Sequence, residues 1–346
     1  MTGEAGSGAL RAFAAGFACV LASLPAAAQN ISFAGKTIAM TIGFEAGNRV
    51  DFYGRILGKT LSRYLPGQPA TIVMNRPGAG GVIALNEWNA KAEANGLFVT
   101  VGGQTQLDMD ALSRMQARYQ PAKFRYIGGL SAPSQGLFVN KEALPRLADK
   151  SAKPDVMGMV GSTLRTGYYQ TLWGAAFLDW NVKWVPGYPS TGDVRNALER
   201  GEVDMSAFGS SLDIDHLLSI GTLTVASQSG AIVGGKMSSR PVFGATPVIS
   251  DLVKGKIRDP LARKAYEYSE NAIQVGMWVA LPPGTPDNIV NAWVAAFEAT
   301  VKDPQFQAEW GKLDPDSPVA FKPDLEALVA ELPKVSSAAL AFIQDE

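Results

Sequence analysis

Between Thr37 and Val101 the apolar residues change period from one stretch to the next. Thr37–Gly43 is a short apolar run of strand length. Val50, Tyr53, Ile56, Leu57, Leu61 and Leu65 then recur at the three-and-four spacing of one helix face. Ala70–Met74 reads as a strand, Gly81–Ala94 as a helix and Leu97–Val101 as a further strand. This βαβ order is that of a parallel sheet, whose ligand sites lie beyond the carboxyl ends of the strands. The turns Phe44–Arg49 and Gly102–Gln106, the latter with Gln104, are placed there. The first turn also opens a helix, where N–H groups without intrahelical acceptors and the helix dipole favour an anion. A small carboxylate is the expected occupant.

The middle of the chain repeats this pattern. Gly136–Asn140 and Val156–Val160 read as strands, and a polar turn from Gly161 to Gly167 follows, containing Ser162, Thr163, Arg165 and Thr166. A helix is expected over Tyr168–Leu178, a strand at Lys183–Val185 and a helix over Thr191–Arg200. Val203–Phe208 and Thr222–Ser227 are again strand-like. Gln274–Leu281 is a strand stopped by Pro282-Pro283-Gly284. Thr285-Pro286-Asp287 reads as a helix N-cap with proline in the first turn. Helices are expected over Asp287–Lys302 and Pro304–Lys312, with a last one near Pro323–Gln344. Two α/β lobes, each offering a helix start, suggest a ligand held in a cleft between them. The expected division is 29–131 with 272–346 for one lobe, and 132–271 for the other.

Composition narrows the class. The 346 residues are 47% hydrophobic, with 31 basic and 32 acidic side chains. That near-zero balance argues against nucleic acid or an anionic membrane surface as the main partner. Residues 1–28 read as a secretory signal peptide. Arg11 precedes the apolar stretch Ala12–Leu24, which is too short to span a bilayer, and Ala26-Ala27-Ala28 supplies a small-residue cleavage pattern. The single Cys19 falls inside this leader, so cleavage near Ala28 leaves no thiol, as suits an exported, periplasmic protein.

Candidate chemistry is sparse. His216, the one histidine, stands in Asp213-Ile214-Asp215-His216 and lacks a zinc-type ligand set. With no G-x-S-x-G elbow and no cysteine after cleavage, most triad and thiol chemistries are unavailable. No catalytic residue, metal or cofactor is assigned. Gly35-Lys36-Thr37 imitates the end of a P-loop, but Asn30 stands where its glycine is needed. Asn75–Gly81 reads as a backbone-shaping turn, because its glycines do not follow G-x-G-x-x-G. Asp51 either answers the helix dipole or orients loop amides or a ligand amine. Phe44, Tyr188 and Phe208 lie at strand ends, where they could line a pocket wall.

Four segments in order resemble one family. These are Phe44-Glu45-Ala46-Gly47-Asn48-Arg49-Val50-Asp51 with Arg55; Asn75-Arg76-Pro77-Gly78-Ala79-Gly80-Gly81; Val185-Pro186-Gly187-Tyr188 continuing to Ala197-Leu198-Glu199-Arg200-Gly201-Glu202-Val203-Asp204; and Leu281-Pro282-Pro283-Gly284-Thr285-Pro286. Together they are similar to the extracytoplasmic receptors of tripartite tricarboxylate transporters, also called Bug-type solute-binding proteins. The resemblance covers nearly the whole chain after the leader. It implies a type II periplasmic binding protein fold, two α/β lobes with a ligand cleft between them. It further implies a monomeric, non-enzymatic receptor that hands a carboxylate, di- and aromatic carboxylates included, to a membrane transporter. Ligand contacts would come from backbone N–H groups and short polar side chains of facing loops.

The departures from the family pattern are informative. Asn48 and Arg49 replace a glycine and a small residue in the first loop. Asparagine tolerates left-handed backbone, and Arg49 adds a two-pronged carboxylate donor. The second-lobe loop lacks the family's glycine pattern, has Tyr168 near its histidine position and brings Arg165. Two arginines would fit a dianionic ligand. Two rivals stay open: a sensory module serving a membrane kinase, and an enzyme acting on the same ligand through paired carboxylates.

Overall fold

A computed structural model describes residues 31–160, 168–188, 190–233, 236–312 and 317–345. The leader with Cys19, and the turn residues Ser162, Thr163, Arg165 and Thr166, lie outside the described residues.

The opening segment runs β1 (Thr37–Ile42), α1 (Arg49–Tyr64), β2 (Ala70–Asn75), α2 (Val82–Lys91), β3 (Phe98–Gly103), α3 (Met109–Arg114) and β4 (Arg125–Ser131). β1 pairs in parallel with both β2 and β3, as the alternating periods require. The stripe Tyr53, Leu57 and Leu61 is buried against Ile38, Met40 and Ile42 of β1. The turn from Asn75 to Gly81 shapes backbone: a Cβ on Gly43 would stand 2.6 Å from the Gly81 Cα. Gly81 itself has φ +91 and lies so close to Gln106 that only glycine fits.

The middle segment runs β5 (Gly136–Asn140), β6 (Asp155–Val160), α4 (Tyr169–Leu178), β7 (Val182–Tyr188), α5 (Thr191–Glu199), β8 (Met205–Phe208), α6 (Ser211–Ser219) and β9 (Leu223–Gln228). A small hairpin, β10 (Ala231–Val233) and β11 (Lys236–Ser238), and α7 (Ile249–Val253) follow. The last segment runs α8 (Pro260–Gln274), β12 (Val275–Leu281), α9 (Asp287–Val301), α10 (Pro304–Trp310), β13 (Val319–Phe321), α11 (Lys322–Glu331) and α12 (Ser337–Asp345).

These strands form a six-stranded sheet, β13-β4-β12-β3-β1-β2, and a five-stranded sheet, β7-β6-β8-β5-β9. Neither sheet is wholly parallel. β12 is antiparallel to β3 and β4, and β5 is antiparallel to β8 and β9. Each of these reversed strands is the one that enters its sheet just after the chain crosses from the other. A chain crossing at the cleft must begin its next strand there and run away from it, whereas β1, β3 and β8 run toward it. The helix α8 serves both cores: Ala262, Ala265 and Tyr266 pack under the second sheet, Tyr268 and Ala272 under the first.

Two expectations at the end of the chain need correction. Pro286 occupies the N-cap of α9 instead of its first turn, and the Thr285 hydroxyl donates to the Pro282 carbonyl at 2.8 Å. The single last helix is two, α11 and α12, separated by a 3-10 turn over Leu332–Lys334. Pro333 lacks the N–H that a continuous helix needs there and breaks it. The helices α6 and α8 had no sequence expectation at all, although α8 is as amphipathic as α1, with alanine and tyrosine making up most of its buried face. Among the described residues no helix is long and apolar enough to cross a membrane.

Candidate functional site

A cavity of about 560 Å³ opens where β1, β3 and β8 end and where β5 and β12 begin. This volume is ordinary for a small-molecule site. On the first-sheet side it is lined by Phe44, Arg49 and Val50, by Gly103, Gln104 and Thr105, and by Gly276 and Met277. The second-sheet side contributes Tyr168, Thr191, Val194, the run Ser206 to Ser210, and Asp213, and the crossing adds Ala132, Pro133 and Gln135.

The first turn is shaped by an acid that faces inward. Asp51 is 2% exposed and accepts from the Gly47 N–H at 2.9 Å, Arg55 Nε at 2.9 Å and Asn75 Nδ2 at 2.8 Å. Asn75 Nδ2 also donates to the Phe44 carbonyl at 3.0 Å, and Asn48 caps α1 by accepting the Asp51 N–H at 2.9 Å. Burial pushes the Asp51 carboxyl up, but the bonds from Arg55, Gly47 and Asn75 outweigh it and hold the group below the usual carboxylate range. Arg49 lines the cavity while its Nη2 donates to Ser317 Oγ at 2.9 Å and its guanidinium lies 5.8 Å from the Trp310 ring centroid. Gln104 is tied by Nε2 to the Ala272 carbonyl at 2.7 Å, linking the turn after β3 to the end of α8.

The second side is built on two capped helix starts. Ser190 and Ser210 cap α5 and α6 by accepting the N–H groups of Asp193 and Asp213, at 3.3 and 3.2 Å. Each serine hydroxyl donates back to the same aspartate at 2.6 Å. Arg195 Nη1 adds a 2.7 Å bond to Asp213 Oδ1. Phe208 is 1% exposed, edge-on to Phe138 at 5.9 Å, and forms a rigid floor.

Of the residues expected from sequence, Phe44, Arg49, Gln104 and Phe208 are brought together around the cavity. Gly47, Asn48, Asp51 and Tyr188, the last at the end of the edge strand β7, are not among its lining residues. The sequence reading passed over Thr105, Gln135, Thr191, Ser206, Ser210, Asp213 and Met277. A signal for three of these, Thr191, Ser210 and Asp213, existed: Ser190-Thr191-Gly192-Asp193 and Ser210-Ser211-Leu212-Asp213 have the serine-to-acid spacing of capped helix starts. His216 is exposed with Nε2 2.9 Å from Glu199 Oε1, and the described residues hold no group of metal-ligating side chains. One carboxylate pair, Asp155 and Asp204, shares Arg146 at 2.8 and 3.0 Å, but it stands where β6 and β8 begin, opposite the cavity.

Two mixed sheets opening on one cavity make this the fold of TctC- and Bug-type periplasmic binding proteins. The crystal structure of a TctC solute binding protein from Polaromonas matches with TM-score 0.66 over 91% of this chain and 98% of that one, at 17% identity. MatC from Rhodopseudomonas palustris with bound malate matches with TM-score 0.57 over 88% and 98%, at 18% identity. A second R. palustris protein, with adipate, matches with TM-score 0.58 over 88% and 97%, at 18% identity. The likeness at these identities is one of fold. The UPF0065 protein in the gbd 5′ region of Cupriavidus necator is 46% identical over 63 residues, which span 18% of this chain and 19% of that protein. No protein-family model matches the chain.

Proposed function

We propose that this protein is a periplasmic receptor that captures a small organic carboxylate between its two lobes and delivers it, unchanged, to a tripartite tricarboxylate-type membrane transporter. The observation that carries the reading is the meeting of three helix starts, those of α1, α5 and α6, on one cavity. First-turn N–H groups and dipoles aimed at one space favour a small anion there. Structural neighbours that hold malate and adipate support the same ligand class. In this reading the lobes are 29–131 with 272–346, and 132–271, and the leader is cleaved near Ala28. Phe44, Arg49, Gln104 and Phe208 are its contacts from the sequence candidates, joined by Thr191 and Ser210.

In this reading a ligand touched by turns of both lobes binds the closed state better, and only that difference shifts the equilibrium toward closure. An affinity between nanomolar and micromolar, about −12 to −8 kcal/mol, suffices for scavenging. A thermal-shift screen of mono-, di- and aromatic carboxylates against amines and sugars tests the binding, since a ligand of the native state raises its stability by mass action. A rise with carboxylates alone is expected. A rise with amines or sugars and none with carboxylates would sink the reading. Delivery is tested by growth on the ligand, which should fail in a strain lacking this chain and return on complementation. Recovery of unchanged ligand after long incubation separates a receptor from an enzyme.

A further inference from the structure

On the reading of the cleft as a carboxylate receptor, we propose that Gln135 and Asp213 make it select carboxylates that carry a hydrogen-bond donor, a hydroxyl or an amino group. Helix starts and arginines recognise a carboxylate but give no reason to prefer a substituted diacid over a plain one. These two side chains do. Gln135 lines the cavity, and its Oε1 is buried without a hydrogen-bond partner among the described residues. A buried carboxamide oxygen left unpaired is unfavourable, and a ligand hydroxyl or amine relieves it. Asp213 lines the same cavity. Its Oδ1 accepts from Arg195 at 2.7 Å and its Oδ2 from Ser210 at 2.6 Å, and each carboxylate oxygen has capacity for a second donor. Every diacid meets Asp213 as a like charge, and only a substituted one also brings a hydroxyl or ammonium donor for Asp213 to accept.

The two acceptors are neighbours on a fixed frame. A Cβ on Gly209 would stand 2.8 Å from Gln135 Cγ, so the Gln135 side chain runs across Gly209, the residue before the Ser210 cap. Arg240, 6% exposed, donates Nη1 to the Ser134 carbonyl at 3.2 Å and the Gly209 carbonyl at 2.7 Å, and Nη2 to Ser211 Oγ at 2.8 Å. One guanidinium therefore fastens the residue before Gln135 to the residue before Ser210. The Gln135 backbone is held as well: its N–H donates to Ser229 Oγ at 2.9 Å and its carbonyl accepts from Gln170 Nε2 at 3.0 Å. Side chains so positioned pay little ordering entropy when a ligand arrives.

Isothermal titration of the protein with two ligand sets tests the proposal: succinate, malate and aspartate, and glutarate, 2-hydroxyglutarate and glutamate. In at least one set a donor-bearing member is expected to bind about tenfold tighter than its plain diacid, or about 1.4 kcal/mol. Gln135→Met keeps the length and removes the acceptor; it should lower that ratio at least fivefold. Asp213→Asn provides a second variant, expected to weaken the amino-substituted ligand and strengthen the plain diacid. Plain diacids binding as tightly as their substituted partners, or Gln135→Met weakening all members equally, overturns the selectivity and leaves the carboxylate reading standing. Failure of every carboxylate to bind overturns both.

Discussion

At the start of α1, Asn48 caps the helix and Asp51 stands three residues on; at the start of α6, Ser210 caps and Asp213 stands three residues on. Both acids lie in the first turn of a helix that opens beside the cavity, and both N-caps accept the N–H of the acid. Their surroundings differ. Asp51 is turned into the protein, where Gly47, Arg55 and Asn75 all donate to it, and it shapes the turn that carries Phe44. Asp213 is turned toward the ligand space, held by Ser210 and Arg195. One local grammar therefore yields a scaffold on one side of the cleft and a ligand-facing acceptor on the other. What separates them is the neighbour each acid meets: Asn75 arrives from β2 to cover Asp51, and among the described residues no element does the same for the cavity face of Asp213.

Substitutions can break this comparison in a definite order of size. Arg240→Met should cost most, about 3 kcal/mol or more by chemical denaturation, because the buried carbonyl of Ser134 and the part-buried carbonyl of Gly209 lose their donor together. It should also erase ligand selectivity if the variant folds. Asp51→Ala comes next, at about 2 kcal/mol, since three donors lose one acceptor while part-exposed Arg55 finds water. Asp213→Asn should cost stability only about 1 kcal/mol or less, because its ion pair with Arg195 lies near the surface. Its larger effect should be on which ligand binds. Smallest of all, Arg49→Ala should weaken a dicarboxylate by less than about tenfold, under 1.4 kcal/mol, because Ser317 and Trp310 already hold that guanidinium. A loss well beyond that in titration calorimetry would make Arg49 a principal anion contact.

Acid sharpens the same contrast. The folded-state pKa of Asp51 lies below its ordinary value of 3.8, so its contribution is fully present above that value. The contribution is lost as pH falls through the lowered folded value, where the native carboxylate takes up a proton. Asp51→Asn should therefore narrow the gap between denaturation midpoints at about pH 5 and about pH 3. An unchanged gap would show that other carboxylates dominate the acid response.

The opening βαβ unit was legible because period, cap and turn residues agree there: Val50 to Leu65 carries one clean stripe, and Asn48 and Gly47 mark its start. The second side of the cavity was less so. The polar turn containing Ser162, Thr163, Arg165 and Thr166 has the plainer local signal, while the Ser-x-x-Asp starts of α5 and α6 carry no mark of cavity lining. Capping patterns occur at the start of any helix, and nothing local tells which of them faces a ligand. Gln135 was harder still. It sits in a crossing segment without periodicity, and its importance arises from Gly209 and Arg240, distant in sequence.

The sequence by itself determined the elements with a clean period, the anion-favouring helix start of α1 and the alternation that demands two α/β layers, because each follows from local spacing and backbone chemistry. Tertiary structure alone decided the reversed directions of β5 and β12, the burial of Asp51 and the exposure of Asp213 to the cavity. Those outcomes depend on which strands and turns become neighbours once the chain has crossed between sheets. A first-turn aspartate is the same local signal at both sites; whether it becomes scaffold or contact is settled by what the folded chain places against it.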